Sequence, residues 1–145
     1  MVGYKKVLLA LDFHADNEEL IGKAKAVADQ YGAELFVIHV QEPIAAAYTA
    51  DGFAFNEQLA SLHGAIRQEA KGRLEKMAEQ LEISSDHVIL VEGNPANEIH
   101  SAAESRDIDL IILGTHGQKG IQLLLGSTAN SVLHGVKCDV LTVRL

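Results

Sequence analysis

The chain has 145 residues, a formal charge of −8 and a single cysteine. That length suits one domain, expected to span 1–145, and 48% hydrophobic with 22% charged residues sets it apart from disordered chains. The negative charge speaks against general attraction to DNA, RNA or an anionic membrane, and a lone Cys138 excludes an internal disulfide and a cysteine zinc cage. Met1 to Lys6 hold no apolar stretch of signal length, and no later run nears the roughly 20 residues that span a bilayer. A cytoplasmic protein is expected.

Lys6 to Asp12 is a short apolar run closed by an acid, and Glu34 to Val40 is a second such run; both read as buried strands. Between them Leu20, Ala24, Val27, Ala28 and Tyr31 fall at helical spacing, with Gly32 placed as the C-terminal stop. Gln41 to Phe55 contains Pro43, an alanine-rich stretch and Asp51-Gly52, which reads as a long connection. From Asn56 to Leu81 the residues Leu59, Leu62, Ile66, Ala70, Leu74, Met77 and Leu81 make one amphipathic helix whose stripe is expected to cover the sheet. His87 to Glu92 reads as a third strand. Asn94 then caps a helix opened by Pro95 and running to about Arg106. Ile108 to Gly114 is the most hydrophobic strand, Ser127 to His134 a short helix, and Val136 to Leu145 a fifth strand. Alternation of this kind specifies an α/β fold with a parallel sheet, right-handed crossovers and helices on both faces. Ligands of such sheets sit outside the carboxyl ends of the strands, where strand order reverses.

The loops at those ends therefore carry the chemistry. After the fourth strand Gly114, Gly117 and Gly126 bracket one loop, with Ser127 and Thr128 at a helix start behind it. Glycines let a ligand approach without a Cβ in the way, and free N–H groups at a helix start favour a phosphate. The helix dipole supplies only about 0.3–1 kcal/mol at an exposed end, so several N–H groups must act together. Lys119 lacks the following Ser or Thr of a Walker A loop. The first strand ends in Asp12-Phe13-His14-Ala15-Asp16 with no glycine, unlike a dinucleotide fingerprint.

With these features the chain resembles the universal stress protein family over nearly its whole length. The family's nucleotide-binding members carry G-x2-G-x9-G-[S/T] after the fourth strand; here Gly114-x2-Gly117 precedes Gly126-Ser127 with eight residues between. Tyr4-Lys5-Lys6, Asp12, His39-Val40 and Gly93-x-Pro95-x3-Ile99 complete the likeness. It implies a three-layer sandwich of the adenine nucleotide alpha hydrolase-like type, with a five-stranded parallel sheet in the order 3-2-1-4-5. By position it implies that Ala10 and Asp12 line the adenine and ribose end and that Val40 gives the base a backbone edge. Gly114, Thr115, His116 and Gly117 would hold ribose and α-phosphate, and Gly126, Ser127 and Thr128 the outer phosphates. ATP or AMP is the implied ligand, with Mg²⁺ bridging phosphate oxygens if ATP is bound. A homodimer through the last strand is also implied.

Blander readings stand beside these. Asp12 is a candidate helix-capping acid, His116 a solvated spacer, Lys119 a solvated charge, and His39 a hydrogen-bonded core histidine. His14, His63, His87, His100 and His134 form no metal-ligand spacing. No triad, paired carboxylate or nucleophile elbow is visible, so catalysis is at most slow ATP hydrolysis. The leading expectation is a nucleotide-binding regulatory or stress-response module. The alternatives are a nucleotide-free dimeric interaction protein and a slow ATP hydrolase.

Overall fold

In the structure, a computed structural model describing residues 3–13, 17–43, 52–115 and 127–145, five strands form one parallel sheet. They are β1 (Lys6–Leu11), β2 (Glu34–Gln41), β3 (Val88–Glu92), β4 (Leu110–Gly114) and β5 (Asp139–Val143). Their order is β3-β2-β1-β4-β5, as the resemblance implies. The helices are α1 (Glu18–Tyr31), α2 (Gly52–Leu81), α3 (Pro95–Ser105) and α4 (Ser127–Leu133).

Because side chains alternate across a strand, the uninterrupted apolar runs of the central strands serve two cores. Leu8 and Ala10 of β1 face one, with Phe36, Ile38, Ile111 and Leu113, beneath Ala96, Ile99, Ala102 and Ala103 of α3 and Ala129 and Val132 of α4. Val7, Leu9 and Leu11 face the other, with Val37 and Ile112, beneath Leu20, Ala24 and Ala28 of α1 and Leu74 and Leu81 of α2. Burying each of the larger side chains contributes about 1.5–3 kcal/mol, against about 0–1 kcal/mol for an exposed ion pair such as Lys25–Asp29, so the two apolar layers set the architecture.

Local signals place the helix ends. Gly32 adopts φ 62°, ψ 33° and donates its N–H to Asp29, closing α1 in the left-handed conformation that glycine takes at least cost. Pro95 opens α3, and the Asn94 side chain accepts from the Asn97 N–H at 3.1 Å. His100 Nε2 donates to the Val132 carbonyl at 2.7 Å, tying α3 to α4.

The expected boundaries shift in several places. Gly52 to Phe55, read as part of a connection, belong to α2, because helix propagation is cooperative and a glycine at the first position interrupts nothing. Leu62 and Ile66 are 50% and 41% exposed instead of covering the sheet. For Leu62 the reason is length: α2 has 30 residues, about 45 Å of helix, while the eight residues of β2 span about 26 Å. His63 already contacts Glu92, the last residue of β3, so the turns before it overhang the carboxyl edge. His87 closes a 3-10 turn, Ser85–His87, before β3 begins. Ile108 and Asp109 precede β4, and the expected fifth strand, Val136 to Leu145, shortens to Asp139–Val143. Ile108 is buried and Val136 packs on the core without joining the ladder, so both are apolar for packing and not for pairing.

Candidate functional site

The chain steps outward from β1 through β2 to β3, then returns to lay β4 and β5 on the other side of β1. Strand order therefore reverses between β1 and β4. The segment leaving β1 leads to α1 on one face, and α4, which follows β4, packs on the other, the arrangement at which parallel α/β sheets commonly take ligands. The ladder reflects this. Pairing of β1 with β2 continues to Leu11↔His39 and that of β4 with β5 to Gly114↔Val143. Between β1 and β4 it ends at Leu9↔Ile112, short of Ala10, Leu11, Leu113 and Gly114.

Four of the sequence-derived site residues lie at the carboxyl ends of β1, β2 and β4. Ala10 is 9% exposed on the α3–α4 face, where half-buried Val40 packs against the same core. Asp12 follows the last residue of β1, one step past the register that pairs Leu11 with His39. Gly114 ends β4. The N-cap position of α1 is Asn17, which is buried and donates from Nδ2 to the Asp12 carbonyl at 3.0 Å. This bond ties the start of α1 to the exit from β1.

Thr115 is tied to Val143 and Leu145. Its N–H donates to the Val143 carbonyl at 2.9 Å, and its hydroxyl oxygen accepts from the Leu145 N–H at 3.5 Å, prolonging the β4–β5 ladder by one residue. Thr128 is exposed in the first turn of α4, which Ser127 opens. His116, Gly117, Gly126 and Lys119 lie outside the described residues.

Other side chains at this edge make contacts that no local sequence pattern announces. The Phe13 ring stacks on the His39 imidazole at 4.2 Å and 26°, and the Arg73 guanidinium of α2 lies 4.2 Å from the Phe13 centroid. His39 Nδ1 donates to the Leu11 carbonyl at 2.9 Å, so it is a hydrogen-bonded strand histidine that also braces the exit from β1. Gln41 is buried at the end of β2; its Nε2 lies 3.5 Å from the His63 carbonyl, and its Oε1 has no partner among the described residues. His63 Nε2 donates to Glu92 Oε2 at 2.8 Å. Gly93 takes φ 149°, a backbone conformation that residues with a Cβ rarely adopt. At the opposite, amino edge Cys138 is half-buried, and burial pushes its thiol pKa up, with the charges of Asp139 and Asp109 adding to it; the neutral thiol is a poor nucleophile.

A small residue, a carboxylate and a strand-ending glycine thus lie at the carboxyl ends of β1 and β4. No described helix is long and apolar enough to cross a membrane. A profile of the universal stress protein family matches residues 3–144. Universal stress protein A homolog 2 of Coxiella burnetii is 43% identical over 146 residues, covering 100% of this chain and 98% of the relative. Among solved structures, that of hypothetical protein MJ0577 of Methanocaldococcus jannaschii superposes with a TM-score of 0.81 at 29% identity, covering 99% of this chain and 98% of that one. A universal stress protein solved in complex with cAMP superposes at 0.63 with 23% identity, covering 99% of this chain and 98% of that one, a likeness of fold.

Proposed function

Since the chain belongs to the universal stress protein family, we propose that the carboxyl edge of its sheet binds an adenine nucleotide, ATP or AMP, and that occupancy regulates what the protein contacts in the cytoplasm. The observation that carries this reading is the early end of β1–β4 pairing at Leu9↔Ile112, at the point where strand order reverses. Ala10 leaves room for the base, the main chain at Val40 offers it a polar edge, and Asp12 stands where a ribose hydroxyl would donate to a carboxylate. Gly114 opens a loop whose N–H groups would hold phosphate together with those of Ser127 and Thr128. That another protein of this fold was solved with cAMP agrees with an adenine nucleotide in this family. Among the described residues no three of His, Cys, Asp and Glu converge on a metal position, so Mg²⁺ arriving with ATP would take phosphate oxygens as ligands. Two copies pair through β5, a short edge strand on which Leu141 is 36% exposed.

The test is direct. Freshly purified protein, denatured and examined by mass spectrometry, should release adenine nucleotide, or added AMP or Mg-ATP should raise the melting temperature. Ligand at 100 times its Kd stabilises by about 2.7 kcal/mol. Gly126→Val should abolish this gain while the unliganded protein melts normally. Neither carried nucleotide nor a gain on addition would overturn the proposal.

A further inference from the structure

The edge of the sheet opposite β5 carries a different surface. β3 is an edge strand, and between it and α2 runs a groove of about 680 Å³ floored by Leu74, Ala78, Ile83, Val88 and Leu90. Its α2 rim is a single stripe at four-residue spacing: Arg67, Lys71, Glu75 and Glu79, all exposed. None of the four makes an ion pair with a described residue, although Lys25 and Asp29 do so at the same spacing. The stripe holds both signs, sorted into a cationic half and an anionic half. Here Arg67–Lys71 and Glu75–Glu79 are like-charged neighbours, which weaken a helix, and Lys71–Glu75 runs in the less favourable order.

The pattern, two cations followed by two anions, is complementary to itself when reversed. We propose that a second copy of this chain docks on this face about a twofold axis passing between Lys71 and Glu75. The two α2 helices run antiparallel, Arg67 meets Glu79 of the second copy, and Lys71 meets its Glu75; by symmetry each contact occurs twice. The half-buried Val88, Leu90 and Ile83 supply the apolar centre that exposed ion pairs alone would lack, and the outer edge of β3 gains cover. The charges set register and orientation more than affinity. This interface is separate from any pairing through β5 and independent of nucleotide binding.

Sedimentation velocity on the full chain over a wide concentration range tests the proposal. The unmodified protein should show an association step that high salt weakens. Arg67→Glu with Lys71→Glu makes the stripe wholly acidic, and Glu75→Lys with Glu79→Arg makes it wholly basic. Each variant alone should lose that step, its dissociation constant rising at least about tenfold. Mixed together, the two variants should associate, and the chain carrying all four substitutions, again self-complementary, should recover the step by itself. Contacts through β5 are unchanged in all of these, so the stripe is read as the difference between them. Circular dichroism confirms that each variant is folded. Identical sedimentation of the unmodified and single-sign chains, or no recovery in either the mixture or the fourfold variant, would overturn the proposal and leave the groove to another protein.

Discussion

At the amino edge of the sheet the strands are stitched together by side chains, whereas at the carboxyl edge the two strands either side of the reversal part. Asp109 sits at the entry to β4 and accepts from the Lys5 N–H at 2.9 Å and the Lys6 N–H at 3.1 Å, while its own N–H donates to the Lys6 carbonyl. Tyr4 donates to Asp139 at 2.8 Å and meets Tyr31 edge-on at 5.1 Å. His87 donates to the Leu35 carbonyl and stacks on Phe36. At the other edge the same two strands, β1 and β4, end beyond their last registered pair. Side-chain hydrogen bonds close the sheet at its amino edge, and the pairing of β1 with β4 stops short at the other.

That contrast is open to measurement. The largest effect is expected from Asp109→Ala, which removes a charged acceptor from two main-chain N–H groups and should cost about 2–3 kcal/mol in urea unfolding. Nucleotide affinity of the folded fraction should not change; a matching loss of binding would blur the division between the edges. Next comes Asp12→Ala, expected to weaken nucleotide binding about tenfold, or about 1.4 kcal/mol by titration calorimetry, with little change in melting temperature. If unfolding suffers and binding does not, Asp12 is a structural acid. Asn94→Ala lies at the carboxyl edge but away from the reversal. It should cost about 1 kcal/mol of stability by loss of the cap and leave ligand affinity alone, confining function to the β1–β4 gap.

The smallest effect is spectroscopic. The hydrogen bond that Tyr4 donates to Asp139 favours the neutral phenol, and nearby negative charge disfavours the phenolate, so its pKa lies above the ordinary 10.0. Ultraviolet titration should find one tyrosine ionising late, and Asp139→Asn should bring it down towards the ordinary value. A Tyr4 that titrates normally would mean that the amino-edge stitch at this point is open in solution.

How much of this was legible beforehand depends on what each signal reports. Runs such as Val7 to Leu11 and Leu110 to Leu113 declare strands buried on both faces, and strand ends fix the edge, so Ala10, Asp12, Val40 and Gly114 could be placed. Periodicity names the apolar face of α2 but not the extent of sheet beneath it, which is why exposed Leu62 looked like core. Apolarity also cannot separate Ile108, buried before its strand, from residues in the ladder. The Arg73–Phe13–His39 stack joins three distant parts of the chain through ordinary residue types, so no local pattern announces it. Of the glycine loop, His116, Gly117 and Gly126 lie outside the described residues, and their role stays with the proposal.

The Asp109 clamp bears on how the chain is made. It joins positions separated by 104 and 103 residues, and it fastens the central strand to a neighbour synthesised much later. While the polypeptide emerges from a ribosome, β1 can pair with β2 early, but its other side stays bare until β4 is released. For most of translation the nascent protein therefore displays an apolar strand edge of the kind that recruits chaperones or aggregates, and closure of the sheet is a late, non-local event.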